Sequence, residues 1–217
     1  METMSFIDNL GIELDALILV TAVLFYTAAW SWYLGRGGHR AAVESQLRGG
    51  SWMLGALGGF LLLLGLWGEF TWPLPAAYNM LFYDPTVLIG LLLLGFFGAI
   101  RLGLPTHYVG VFAFVSGWGV IYYGLRAYQL GLTTEPFDMM GMFVAFGALA
   151  VLALPVTLYL DRYVLGRLEI GSVTDRPSYP MVWNFLLGLF LLLAVIAGIA
   201  SILMGFNTVW NHLASPP

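Results

Sequence analysis

The sequence holds no cysteine and no lysine. Without cysteine there is no disulfide framework, no thiolate metal site, no iron–sulfur cluster and no thiol nucleophile. Charge is scarce as well: 9% of the 217 residues are charged, against about 25% in a soluble domain. All eight basic residues are arginine, widely scattered, and the formal net charge is −4. Such a chain offers no basic patch to a nucleic-acid backbone. Apolar residues are what it has: 60% are hydrophobic and 16% aromatic. That balance excludes a soluble globular domain, a coiled coil and a disordered tail, and points to an integral membrane protein in contact with the lipid bilayer.

A hydrocarbon core about 30 Å thick asks for about 20 apolar residues per spanning helix. Six stretches meet this requirement: 15–34, 51–70, 85–101, 108–128, 136–160 and 182–204. None alternates as a membrane-barrel strand would. The expected fold is all-α: one transmembrane domain over 1–217 with six transmembrane helices. Arg36, Arg40 and Arg48 fall in the first loop, Arg101 at the edge of the third, and Arg162, Arg167 and Arg176 in the fifth. Only Arg126 falls toward the other side. The positive-inside rule then makes these three loops cytoplasmic and places both termini outside the cell membrane. The first thirteen residues carry Glu2, Asp8 and Glu13 and no basic residue. A cleaved signal peptide starts positive, so the first span is expected to remain in place.

Sliding the chain by 51 residues aligns it with itself. Gly59 falls on Gly110, Trp67-Gly68 on Trp118-Gly119, Asp84-Pro85 on Glu135-Pro136, and Gly90 on Gly141. The expected repeat unit is a helical hairpin, 57–102 and again 108–153, the two copies related by an axis along the membrane normal. Proline suits the first turn of a helix, and a carboxylate before it suits the positive helix end. Asp84 and Glu135 are therefore expected to begin spans three and five. The pairs Gly55 and Gly59, Gly95 and Ala99, Gly141 and Ala145, and Ala194 and Gly198 put small residues on one helix face, where helices approach closely.

The outer loop Glu69-Phe-Thr-Trp-Pro-Leu-Pro-Ala-Ala-Tyr-Asn79, then Asp84-Pro85, then Leu130-Gly-Leu-Thr-Thr-Glu-Pro136 carry a resemblance. Over roughly residues 50–160 the chain resembles the largely archaeal membrane proteins grouped as domain-of-unknown-function family 981. The resemblance implies several membrane spans and no established activity. A looser likeness, in size and glycine content, is to small six-span acetate–succinate and urea channels, whose diagnostic motifs this chain lacks.

Ionisable groups within a membrane are costly, so they are the first candidates for function. They gather at the outer side: Glu69 at the end of span two, Asp84, Arg126, Glu135 and Asp138. Arg126, Glu69, Asp84 and Glu135 are the expected ligand or ion-pair residues of an outer vestibule, with Arg126 paired to Glu69 or Asp84 or holding an anionic solute. Trp67, Trp72, Trp118, Tyr122 and Tyr123 are expected in the outer aromatic belt. No charge is expected at the middle of any span, which speaks against a proton relay. His39 and His107 face the cytoplasm and His212 the outside, so no metal site and no bis-histidine haem is expected. Ser116 and Ser201 are expected to bond between helices. No nucleophile elbow, phosphate loop or dinucleotide fingerprint is present, so neither catalysis nor a cofactor is expected.

Two functions fit this pattern. One is a small-solute channel or transporter, forming a homo-oligomer. The other is a non-catalytic subunit of a larger membrane complex, such as a respiratory one. The orientation can be tested directly, because the chain carries no native thiol. A cysteine at Ala77→Cys is expected to react with an impermeant thiol reagent on intact cells, and one at Glu44→Cys is not. The opposite labelling pattern would invert the topology.

Overall fold

The computed structural model describes residues 9–168 and 181–214. Glu2, Asp8, Arg176 and the side chain of His212 lie outside what is described. Six helices follow in order: α1 (Asn9–Arg36), α2 (Arg40–Thr71), α3 (Ala77–Leu102), α4 (His107–Leu130), α5 (Pro136–Tyr159) and α6 (Met181–Ala214). One π-helical turn, Leu160–Val164, extends α5. All six helices are long and apolar enough to cross a membrane. Among the described residues there is no strand. The end carrying loops 72–76 and 131–135 is called upper here, and the end carrying most of the arginines lower.

Several helices begin earlier than apolar length alone suggests. α2 starts at Arg40 rather than at 51, because Val43 and Leu47 are buried against Ile100 and Leu165 and hold the polar segment in helix. α1 starts at Asn9, which brings Glu13 into the bundle instead of an exported tail. α3 starts at Ala77, so Asp84-Pro85 does not begin it. Pro85 lies inside the helix, where its missing N–H leaves the Leu81 carbonyl without its helical donor. Pro136 does stand at the start of α5, with Glu135 before it, but the Glu135 side chain makes no capping hydrogen bond.

Helix ends follow local sequence. Gly103 and Gly131 each sit in a Leu-Gly-Leu run and take φ of 71° and 59°. The next N–H groups, of Leu104 and Leu132, reach back to the carbonyls of Ala99 and Ala127 at 2.9 and 3.1 Å. This closure needs a left-handed residue, which glycine supplies without a Cβ clash. At the upper loop, buried Asn79 donates to the Gly68 carbonyl at 3.1 Å and accepts from the Leu74 N–H at 3.3 Å. One side chain thus ties the end of α2 to the start of α3.

Packing is most extensive between α2 and α3 and between α4 and α5. α1 packs on α2 and α5 on α6, α6 closes back on α1, and α3 meets α4 least. The helices therefore form a ring. Within each main hairpin the contact runs through small residues seven apart: Ser51, Gly58 and Gly65 on α2, and Gly110, Gly117 and Gly124 on α4. A seven-residue spacing keeps one face toward a partner crossing at about +20°. At Gly117 a Cβ would stand 2.6 Å from the Gly147 carbonyl oxygen and 2.9 Å from the Val151 nitrogen. The 51-residue register does not align these roles. Gly110, Gly68 and Gly90 pack against neighbours, whereas their counterparts Gly59, Gly119 and Gly141 have no atom within 4 Å of a would-be Cβ. Ser116 and Ser201 also depart from expectation: each bonds back within its own helix, to the Phe112 and Ala197 carbonyls.

The packed glycines set a test of this arrangement. Gly117→Ala forces α4 from α5 and is expected to cost about 1–3 kcal/mol, as overpacking does. Gly119→Ala, on the open face, is expected to hold or slightly raise stability. Thermal unfolding in mild detergent, followed by circular dichroism, separates the two; equal midpoints would refute the packing.

Candidate functional site

Two groups of polar side chains and a central cavity stand out. The first is at the upper end, where α2, α3 and α4 converge. Tyr123 of α4 donates its hydroxyl to Asp84 of α3, and the Glu69 carboxyl of α2 faces that of Asp84. Glu69 Oε1 is buried and has no hydrogen-bond donor among the described residues. Two carboxyl groups this close repel when both are charged and bond when they share a proton. Nearby, Tyr78 of α3 donates to the Leu132 carbonyl beyond α4. Together these bonds clasp α3 to α4 at the least packed seam of the ring.

The expected vestibule is only half assembled. Glu69 and Asp84 come together. Arg126 does not join them: it is exposed, and its Nη1 donates to Gln129 Oε1 at 2.7 Å on the same helix. It stands three residues past Tyr123, one turn nearer the end of α4, and its side chain runs along its own helix. Glu135 goes elsewhere too, accepting from Asn207 Nδ2 of α6 at 3.1 Å. Tyr123 was expected in the aromatic belt and instead turns inward to the carboxylates. Trp67, Trp72, Trp118 and Tyr122 are exposed.

The second group sits at the lower end. Asp161, in the π turn, is fully buried. Its Oδ1 accepts from Thr106 Oγ1 at 3.0 Å, and its Oδ2 from the His107 backbone N–H at 2.8 Å, with His107 Nδ1 2.9 Å away. It thus caps α4 from the far end of the same hairpin, where a carboxylate suits the positive helix end. Arg167 donates to the Leu104 carbonyl at 2.7 Å, and Arg40 to that of Leu165. These bonds lock the segment after α5 under the ring. All of its polar atoms in contact are bonded, which marks a structural clasp.

The third feature is the ring's interior. A cavity of about 200 Å³ lies along its axis, touched by every helix. Leu24, Leu54, Phe96, Ala113, Phe146 and Leu187 represent α1 to α6 in its wall. No charged side chain lines it. Thr157 and Ser116 line it with hydroxyls already bonded to their own helices. Thr27 and Ser31, one turn apart on α1, line it with buried hydroxyls that have no partner among the described residues.

The upper cluster and Arg126 separate by substitution. Tyr123→Phe is expected to lower stability by about 1 kcal/mol, the worth of one hydrogen bond. Arg126→Ala is expected to change it by less than about 0.5 kcal/mol, as for other exposed sites. Equal losses in thermal unfolding would return Arg126 to the cluster.

Comparison with known proteins places the chain in a family. A family model described as "Protein of unknown function (DUF981)" matches residues 4–215. The match extends over all six helices, well past the 50–160 segment that carried the resemblance. No curated protein and no solved structure matches. The chain belongs to the DUF981 family, described as proteins of unknown function.

Proposed function

We propose that the protein is a channel or transporter-like protein for a small uncharged solute, taken into the cavity at the centre of the six-helix ring. The observation that carries this reading is the lining itself: every helix contributes to it and none contributes a charge. An ion entering such a wall would lose its hydration with nothing to replace it, at a cost of tens of kcal/mol in a dry medium. An apolar cavity of about 150 Å³ stays dry and takes up benzene or xenon. The free hydroxyls of Thr27 and Ser31 offer two hydrogen bonds to one polar, uncharged group on an otherwise apolar solute.

A second reading has its own support. Gly59, Gly119, Gly141 and Gly188 leave bare backbone on the outer faces of four helices, with no atom within 4 Å of a would-be Cβ. Bare faces let a foreign helix approach closely. They suit a non-catalytic subunit of a larger membrane complex, or a homo-oligomer. In neither reading does the chain itself catalyse a reaction.

Xenon titration of the protein in lipid nanodiscs, followed by xenon chemical shift, tests the first reading. Saturable binding is expected in the native protein. Ala113→Leu, which fills part of the cavity, is expected to weaken it at least about tenfold, equal to about 1.4 kcal/mol. Binding that is absent, or that ignores the substitution, would refute the reading. Native mass spectrometry of the purified protein decides the second: bound subunits of other sequence support it, and a bare monomer overturns it.

A further inference from the structure

Glu13 is an acid that neither the cavity nor the upper clasp uses. It lies in the second turn of α1, is 5% exposed, and points at α3. Its Oε1 is bonded to Thr86 Oγ1, and its Oε2 is buried without a partner. No arginine or histidine answers it: among the described residues the ion pairs are Arg40 with Glu44 and His107 with Asp161.

The surroundings of Thr86 and Glu13 indicate which form of the acid is present. A threonine hydroxyl has one proton to give. Thr86 Oγ1 lies 2.8 Å from the Phe82 carbonyl, one turn back in its own helix, and a carbonyl can only accept. A hydroxyl that donates to the Phe82 carbonyl meets Glu13 as an acceptor, and one that turns to donate to Glu13 leaves that carbonyl to its helical N–H partner. The contact accommodates either form of the acid, and the burial of Glu13 with its unpartnered Oε2 selects the neutral one. A neutral acid is also what an apolar bundle tolerates, since an unpaired carboxylate would be left without solvation.

The other charged or titratable groups nearby do not change this. α3 presents Tyr83, whose hydroxyl is close enough to feel a charge on Glu13. α2 presents Glu69, which is engaged with Asp84. On α1 itself Asp15 is exposed and turned toward Gly205 of α6. The described side chains of α6 include no charged residue. Every charge within this set is of the same sign as an ionised Glu13, and none could stabilise it.

Position adds the functional element. Val20, seven residues further along α1, lines the upper part of the cavity, about 10 Å from Glu13 along the helix axis. Leu14, next to Glu13, belongs to an apolar cluster with Phe82, Val120 and Phe143, of which Val120 also lines the cavity. The Glu13–Thr86 bond joins α1 to α3 beside that cluster, across a ring in which these two helices are not neighbours.

We propose that Glu13 is a proton-binding site at the upper mouth of the ring, loaded when the ring is closed and in exchange with water on that side. The neutral acid joins α1 to α3 through Thr86. Proton loss leaves a buried carboxylate that the Thr86 hydroxyl can turn to meet as a donor, with no cation beside it to offset the charge. The bound species is the proton alone, given up to water as hydronium, so the site needs no further reactant. This assignment stands whether or not the cavity takes a solute.

Infrared spectroscopy of the full chain in lipid, native against Glu13→Gln, tests it. The amide of glutamine can still donate to Thr86, so the fold is retained. The native protein at neutral pH is expected to show the carbonyl stretch of a neutral carboxylic acid, and the variant to lose it. The band is expected to shift in heavy water and to vanish as the pH is raised. Thr86→Val, which keeps the acid and removes its acceptor, is expected to move the band toward that of an unbonded acid without abolishing it. No loss in Glu13→Gln would show that Glu13 is ionised in the closed ring. A band indifferent to heavy water and to pH would make Glu13 a sealed structural acid. Either result overturns the proposal. If Glu13→Gln does not fold, the Thr86→Val shift alone decides: an unmoved band refutes the Glu13–Thr86 bond.

Discussion

The whole arrangement depends on how closely backbones approach at Gly117 and Gly147. Each glycine's would-be Cβ falls 2.6 Å from the other's carbonyl oxygen, so neither position admits a side chain. Lipid gives helices no hydrophobic reason to associate, so van der Waals fit between small faces must supply it. The same fit recurs where Gly58 meets the Gly90 carbonyl and Leu93. Two tight hairpins result, and they are bulky only on their other faces. When α1 and α6 complete the ring, large side chains such as Phe96 and Phe146 reach the axis but do not fill it. The cavity is the geometric remainder of pairing helices so closely at the rim.

Three threonines show the same principle on a smaller scale. Thr27 sits in the notch of Gly50, Thr157 in that of Gly110, and Thr21 against Gly198. Each lets a short polar side chain enter a helix contact. Thr21 and Thr157 bond back to carbonyls of their own helices and need nothing from outside. Thr27 does not, and it is the one with Ser31 a turn below it in the cavity wall.

Class, number of spans and the stops of the first five helices were legible in the sequence, because each rests on local rules; α6 runs ten residues past its expected end. Six apolar stretches gave six helices, and Leu-Gly-Leu marked two ends. Helix starts were less legible: apolar length measures the part in hydrocarbon, not the polar turns that continue the helix. That shortfall hid Glu13. Its position was nonetheless readable, since Glu13, Leu17 and Val20 share one helical face and all three are buried. The candidate site was legible only in composition. Glu69, Asp84, Arg126 and Glu135 were expected at one vestibule, with Arg126 as the partner of a carboxylate, but the choice of partner turns on side-chain direction. Arg126 and Tyr123 are three residues apart, yet one faces outward and the other the carboxylates. Equally, Asp84-Pro85 and Glu135-Pro136 look alike as letters. One lies within a helix and the other begins one, because what precedes each differs: Asn79 nucleates α3 early by tying it to α2.

The π turn at Leu160–Val164 bears on how this chain can vary in length. A π turn holds one residue more than the α turn it replaces. Each residue advances an α-helix by about 100°. Taking one residue out between Tyr159 and Val164 would restore regular helix and swing Asp161 away from the amide of His107 and the hydroxyl of Thr106. No substitution elsewhere in the turn would bring it back. Apart from Asp161, the number of residues at this place is constrained more tightly than their identity, so relatives that keep the lower clasp should tolerate exchange at the turn's other positions and resist insertion or deletion.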